Sequence, residues 1–177
     1  MHSGIYFGYT GGYDHIYEIG VFEVTEKYAL KLDYSNIFEY TDVDIAYLFM
    51  DKIYINPGQN AKSVKLASMQ DWYFKIHFPG DPMMPGIFIM EQIMVAGTFI
   101  IRSMPDKKAS KVLMQSCNNA CIYRAVRPGD ILVAYVELIS YKRGIAKFSG
   151  ASYVDDNLVC KIEFVMVVPD DMNILGR

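Results

Sequence analysis

Residues 74–91 read FKIHFPGDPMMPGIFIME, and the order of loop-forming and apolar residues in this stretch decides the fold. Three prolines and two glycines follow His77 within nine residues. Proline fixes the backbone angle φ, and glycine adopts conformations that other residues avoid, so this density predicts a loop with one defined path. The last pair, Pro85 and Gly86, is typical of a helix start.

The apolar run after this loop predicts a helix over about residues 86–104. Its apolar residues occur on nearly every side, which is typical of a helix that other elements enclose. As a helix, the run from residue 87 to residue 104 would be about 27 Å long, which approaches the thickness of a bilayer core. Glu91, Gln92 and Arg102 interrupt the run, and strand-like segments follow it. We therefore predict a buried central helix and no membrane span.

Segments rich in β-branched and aromatic residues predict the strands that enclose this helix. They cover residues 47–55, 61–69, 111–123, 131–143, 145–154 and 158–168. The sequence Asn-Pro-Gly at residues 56–58 predicts a turn, and Asp-Asp-Asn at residues 155–157 predicts a hairpin. One long helix with five or six mostly antiparallel strands predicts an α+β domain in which a curved sheet wraps the helix.

The first 41 residues are rich in Tyr and Gly and show a weaker pattern. Alternate residues from Tyr28 to Tyr34 are apolar or aromatic, as on one face of a strand. No repeat and no Ser/Gly-rich linker divides the rest of the chain. We therefore expect an N-terminal extension over residues 1–41 and a single domain over residues 42–177.

The composition is that of a globular chain with little bias in charge. The chain has 177 residues, 52% of them apolar, and a net charge of −3, so it lacks the basic surface typical of nucleic-acid binding. The cysteines, Cys117, Cys121 and Cys160, form no CxxC pair, so we expect neither a disulfide framework nor a zinc site. No basic segment followed by an apolar core opens the sequence. We therefore expect no signal peptide and a cytoplasmic location with reduced thiols.

His77 and Glu91 are the side chains of the opening stretch best suited to proton transfer. Histidine exchanges protons near neutral pH, and a carboxylate one turn inside an apolar helix is costly unless it is paired, solvated or used. At Gly86 the first helical amide lacks an intrahelical acceptor, and the missing side chain would let a carbonyl oxygen approach. Each feature also has an ordinary structural explanation, so the residues alone leave both interpretations open. We expect no catalytic part for His2 and His15, which lie in the extension.

The segment HFPGDPMMPGIFIME, residues 77–91, closely resembles the motif of the β-hydroxyacyl-acyl carrier protein dehydratases, the hot-dog-fold enzymes of fatty acid synthesis. The resemblance extends over roughly residues 42–168. It implies a hot-dog fold, in which the sheet wraps the central helix, and a homodimer with both active sites at its interface. Assembly into trimers of dimers is left open. The resemblance also implies dehydration of a 3-hydroxyacyl thioester, carried by an acyl carrier protein, to the trans-2-enoyl thioester, with no cofactor and no metal.

The resemblance also assigns roles to individual residues. His77 would be the base that removes the α-proton, and Glu91 of the partner chain would assist departure of the β-hydroxyl as water. The Gly86 amide would bind the thioester carbonyl, and the Met83 backbone carbonyl would orient the His77 ring. Phe88 is a candidate for lining the acyl site, although core packing is the simpler explanation for a single aromatic residue.

Two positions depart from the usual combinations of the motif. Asp81 is typical of the branch of the family that can also isomerise the new double bond, whereas Glu91 is typical of the branch that usually only dehydrates. Isomerase activity is therefore not assigned. Val95 stands where many dehydratases with the glutamate carry glutamine, which changes the expected polarity and shape of the acyl tunnel.

Basic residues outside the motif could attract the acidic surface of an acyl carrier protein. One group follows the helix and the other lies near later strands. The groups are Lys107, Lys108 and Lys111, and Arg124, Arg127, Lys142 and Arg143. Solvated lysines at a helix exit are the simpler explanation of the first group. Tyr123 is a further aromatic candidate for the acyl tunnel.

Two other functions stay open on the sequence. In a hot-dog thioesterase, a carboxylate on the central helix activates water against the thioester carbonyl. A dehydratase-like subunit without activity could instead bind acyl carriers or pair with an active partner. The presence of His77 at its family spacing from Glu91 favours dehydration over both.

Overall fold

The computed structural model describes residues 28–108 and 110–172 of the chain. These residues form one long helix and one sheet of seven strands. The helix, α1, is Gly86–Arg102, and the strands are β1 Leu30–Leu32, β2 Lys52–Asn56, β3 Asn60–Leu66, β4 Leu113–Ile122, β5 Ile131–Lys142, β6 Ile145–Val154 and β7 Asn157–Val167. Neighbouring strands pair antiparallel in the order β1-β2-β3-β5-β6-β7-β4. The sheet wraps α1, which confirms the predicted hot-dog fold.

The core lies between α1 and the concave face of the sheet. The helix packs on β2, β3, β5, β6 and β7, and its sheet-facing residues, among them Ile93 and Phe99, are buried. Two glycines let helix and sheet approach closely. A Cβ at Gly97 would lie 2.9 Å from the Phe164 ring, and a Cβ at Gly150 would lie 2.3 Å from Ile93 Cγ2. These contacts fix how far α1 stands from the sheet, and so where its first turn lies.

The strand predicted over residues 47–55 is shorter in the structure. Residues Ile45–Tyr47 form a 3-10 turn, and β2 begins only at Lys52. Between them Phe49 has a positive φ of 46°, and its buried ring stacks on Phe88 of α1 with 4.5 Å between ring centroids. The chain turns inward to make this contact, so packing overrides the local preference for extended structure.

Helix α1 ends at Arg102 rather than near residue 104. The Arg102 side chain is buried, and its guanidinium donates to the carbonyl oxygens of Ser110 (3.0 Å) and Tyr40 (3.1 Å) and to the Asp42 carboxylate (2.9 Å). A buried charge needs such partners. The arginine thereby ties the segment after β1 to the end of the helix.

The segment before residue 42 contributes β1, an outer strand that pairs with β2. The strand is only three residues long: Leu32 is buried, whereas Tyr34 is 87% exposed. His2 and His15 lie outside the described residues, and the division of the chain at residue 42 stays a prediction. No helix in the described part of the chain is long and apolar enough to cross a membrane.

Other predictions of local structure are confirmed. Gly58 closes the turn between β2 and β3 with a φ of 68°, and Asp155 and Asp156 adopt positive φ values in the hairpin between β6 and β7. The cysteines are free thiols, and only Cys160 is buried. The hairpins place β5, β6 and β7 side by side under the helix.

A row of small buried residues crosses the sheet beneath α1. Ser63 on β3 and Ser152 on β6 both pair with Ala134 on β5, and all three are fully buried. Gln92 of α1 donates from Nε2 to the Leu132 carbonyl at 3.2 Å. The Gln92 Oε1 atom and both serine hydroxyls have no hydrogen-bond partner among the described residues. An unpartnered buried hydroxyl lowers the stability of the folded state.

We therefore expect Ser152→Ala to leave the free energy of unfolding unchanged or to raise it by about 1 kcal/mol. Urea unfolding monitored by circular dichroism measures this difference. Ala134→Ser is the matched control in the same row, because it adds a buried hydroxyl, and it should lower the stability. If Ser152→Ala instead lowers the stability by more than about 1 kcal/mol, the hydroxyl has a partner and the interpretation is wrong.

Candidate active site

Backbone hydrogen bonds hold the loop before α1 in one path. The His77 amide donates to the Tyr73 carbonyl (2.9 Å), and the Met83 amide donates to the His77 carbonyl (2.8 Å). Between them, Phe78 and Asp81 exchange amide-to-carbonyl hydrogen bonds of 3.3 and 3.0 Å. The loop therefore closes on itself at His77, in keeping with the defined path that its prolines predict.

Among the described residues, the His77 ring has a hydrogen-bond partner at Nδ1 and none at Nε2. Its Nδ1 atom lies 3.0 Å from the Met83 carbonyl oxygen, and its plane stacks on the Phe78 ring with 4.0 Å between centroids. A carbonyl oxygen can only accept, so Nδ1 carries the proton in this contact. In the neutral ring Nε2 is then unprotonated and free to accept a proton.

Gly86 begins α1 and offers an amide without an internal partner. The Pro85 carbonyl accepts from the Phe88 amide at 2.9 Å, but among the described residues the Gly86 amide has no acceptor. A Cβ at this position would lie 2.3 Å from Ile122 Cδ1 on β4. A side chain at residue 86 would therefore require the end of the exposed Ile122 side chain to move. The part played by Ile122 was not predicted, because this contact joins residues far apart in the sequence.

Glu91 lies one turn inside α1 and is half-buried. Burial raises the pKa of its carboxyl group above the ordinary value, because the charged form loses hydration. Among the described residues, no hydrogen bond or ion pair joins Glu91 to His77 of the same chain. The raised pKa favours a protonated carboxyl group that can donate.

Phe88 lies in a cluster of aromatic rings. Its ring centroid is 4.5 Å from that of Phe49, 5.5 Å from that of Trp72 and 5.6 Å from that of Tyr73. Packing against α1 explains its position. A role for Phe88 in lining an acyl site stays a prediction, as do those of half-buried Val95 and exposed Tyr123.

Several of the basic residues contact acidic residues of the chain itself. Lys107 pairs with Asp171, and Lys108 Nζ lies 3.1 Å from a carboxylate oxygen of Glu39. These contacts favour a structural explanation of the group that follows the helix. In the second group, Arg127 pairs with an acidic residue of the loop that carries His77.

A cleft of about 430 Å³ lies beside the aromatic cluster, and Phe49, Trp72 and Tyr73 line it. Neither His77 nor Glu91 lines this cleft. The candidate site therefore lies on the loop and the first turns of α1, outside the lining of this cleft.

The loop and the first turns of α1 thus carry an imidazole, a helix-start amide and a half-buried carboxyl group, which suit a hot-dog protein to acid/base chemistry. The family follows from comparison with known sequences. The model of the FabA-like domain family matches residues 46–163, so the chain belongs to this family. The match includes the whole loop and α1.

Relatives of known name are similar over most of their length. A protein from Chloroflexus aggregans named 3-hydroxyacyl-[acyl-carrier-protein] dehydratase FabZ is 38% identical over 125 residues, which are 70% of this chain and 87% of the relative. A protein of the same name from Syntrophotalea carbinolica is 37% identical over 68% of this chain and 84% of the relative.

Solved structures support the fold. The dehydratase heterocomplex ApeI:P from Xenorhabdus doucetiae matches with a TM-score of 0.65 at 12% identity, over 75% of this chain and 90% of the solved chain. A hypothetical thioesterase with coenzyme A from Streptococcus pneumoniae matches with a TM-score of 0.50 at 12% identity, over 63% of this chain and 80% of the solved chain. At such identities the likeness shows the fold alone.

At pH values above the pKa of Glu91, we expect Glu91→Gln to have a higher free energy of unfolding than the native chain. In acid, where Glu91 is protonated, we expect no difference between the two. The folded pKa is raised, so the stability of the native chain is complete below the unfolded pKa and falls as pH rises through the folded pKa. Glutamine cannot ionise and avoids this loss. Urea unfolding at several pH values, from about 4 to about 8, measures the difference.

The control is Glu137→Gln, which removes the charge of an exposed glutamate on β5. A Glu91→Gln protein that is less stable than the native chain at every pH would contradict the prediction. Such a result would show that the carboxylate has a stabilising partner.

Proposed function

We propose that this chain dehydrates 3-hydroxyacyl thioesters of acyl carrier protein to trans-2-enoyl thioesters, in the cytoplasm and without a cofactor or metal. The observation that carries the proposal is the His77 ring, whose Nδ1 contacts the Met83 carbonyl at 3.0 Å and whose Nε2 is left as a base. Membership of the FabA-like family and similarity to FabZ dehydratases support it.

The proposed reaction divides proton transfer between two side chains. The Gly86 amide donates to the thioester carbonyl oxygen, which stabilises the charge that develops when His77 Nε2 removes the α-proton. The protonated carboxyl group of Glu91 then donates to the β-hydroxyl, the C–O bond breaks and water leaves. Burial raises the pKa of Glu91, which increases the fraction of the protonated form that can donate.

We propose further that Glu91 serves the His77 of a second copy in a homodimer. Two observations support a partner at this face. His77 and Glu91 of one chain share no hydrogen bond among the described residues. Strand β4 is one of the two outer strands of the sheet, with a backbone edge that no described strand covers. An exposed edge of ten residues is a template for pairing with another chain.

Several side chains near this edge and near the site are apolar and exposed. Exposed apolar residues of β4 and of the site are Leu113, Met114, Ile122, Tyr123, Ile87 and Phe78. Exposed apolar side chains beside an unpaired strand edge are available to pack against another chain. A symmetric dimer would bury the same surface of both copies.

We expect the purified protein to convert 3-hydroxyacyl-carrier protein to the enoyl product, and His77→Ala and Glu91→Gln each to lower turnover by about 10²-fold or more. Mass spectrometry of the carrier-bound products, over several acyl chain lengths, separates dehydration from hydrolysis. Circular dichroism of both variants should match the native chain. Release of free acid without enoyl product would indicate a thioesterase, and binding without either product would indicate a non-catalytic subunit.

We expect a mixture of the two inactive variants to recover activity once subunits exchange. A mixed dimer would hold one site with both native residues and one with neither, so about a quarter of all sites would be active at random exchange. Turnover is measured before and after exchange, and native mass spectrometry quantifies the mixed dimer. Mixed dimers without recovered turnover would contradict a site shared between chains.

A further inference from the structure

Arg127 contacts the catalytic loop directly before the carbonyl that holds His77. Its Nη1 atom donates to the Asp81 carboxylate at 2.5 Å and lies 3.3 Å from the Pro82 carbonyl oxygen. The next residue is Met83, whose carbonyl contacts His77 Nδ1 at 3.0 Å. The guanidinium therefore contacts Asp81 and Pro82, the two residues before Met83. Their positions set the direction of the Met83 carbonyl.

The segment that carries Arg127 is itself fixed to the core. Val126 is fully buried, and its carbonyl accepts from the Met84 amide at 2.9 Å. The Arg127 amide donates to the Asp130 carboxylate at 2.7 Å, and the Ala67 amide donates to the Asp130 carbonyl at 2.9 Å. The catalytic loop is thus held on both sides of Met83 by a segment anchored on the sheet.

We propose that Arg127 is a positioning residue for the base: with Asp81 it fixes the Met83 carbonyl, and so keeps His77 in the tautomer that leaves Nε2 free. The proposal rests on the assignment of His77 as the base. Both side chains of the ion pair are at least half exposed, and such pairs contribute little to stability. A small displacement of a catalytic group, in contrast, lowers turnover strongly.

A carrier-docking role is the other use that an exposed arginine near this loop could have. The Asp81 carboxylate neutralises the Arg127 charge locally and holds the side chain against the loop, which favours positioning. Arg124 is the matched control, because it is exposed and lies three residues earlier. Among the described residues it makes no ion pair.

The test uses the full-length protein and two substrates, a 3-hydroxyacyl thioester of the carrier protein and the same thioester of a small thiol. We expect Arg127→Leu and Asp81→Asn to lower kcat about tenfold on both substrates, with KM changed less than about twofold and the melting temperature unchanged. The charge-exchanged double variant, Asp81→Lys with Arg127→Glu, should recover part of the lost kcat. A loss confined to KM on the carrier-linked substrate, shared by Arg124→Leu, would overturn the proposal.

A second measurement does not depend on activity. Nitrogen-15 NMR of the histidine rings, at a pH where His77 is neutral and with His77→Gln to assign its signals, reports which ring nitrogen carries the proton. We expect the Nδ1–H form in the native chain and a mixture with the Nε2–H form in Arg127→Leu. If the His77 tautomer in Arg127→Leu is the same as in the native chain, the proposal is overturned, even if the native protein is an active dehydratase. If the native chain shows no dehydration, the proposed function fails while this measurement still tests the positioning contact.

Discussion

The burial of α1 is the constraint on which the rest of the structure depends. A helix with apolar residues on nearly every side is stable in water only when other elements cover it, because its exposed apolar area would otherwise oppose folding. Five strands pack on it, and Gly97 and Gly150 set the distance between the helix and the sheet. The position of the first turn follows from this packing, and the Gly86 amide and the Glu91 carboxyl group are placed with it.

The same packing leaves an outer strand beside the proposed site without a neighbour on one side. Strand β4 reaches α1 at its first turn, where Ile122 covers Gly86, but the outer edge of β4 has no neighbouring strand among the described residues. Burial raises the pKa of the Glu91 carboxyl group, and no hydrogen bond or ion pair joins this group to a basic side chain in the part of the chain that the structure describes. These features agree with the proposal that a second copy completes the sheet and the site together, since one interface would then cover the edge and place Glu91 in the same site as the partner's His77.

The loop before α1 has its chemistry in the backbone as much as in side chains. The Met83 carbonyl selects the His77 tautomer, and the Gly86 amide supplies a donor at the helix start. Backbone groups of this kind are useful only if they cannot rotate away, which explains the prolines and the closing hydrogen bonds. The half-buried carboxyl group of Glu91 shows the cost in stability, because a group held for proton transfer destabilises the folded state when it ionises.

Local chemistry in the sequence determined the elements that depend on near neighbours: the loop, the helix start at Pro85 and Gly86, the later strands and the hairpin at residues 155–157. The motif also indicated His77 and Glu91 as candidates. Only the tertiary structure decided the late start of β2, where the Phe49 ring turns inward to Phe88, and the end of α1 at Arg102. It alone brought Ile122 onto Gly86 and Arg127 onto the loop. These contacts join residues distant along the chain, and their energy appears only when the sheet has formed, so no local pattern could record them.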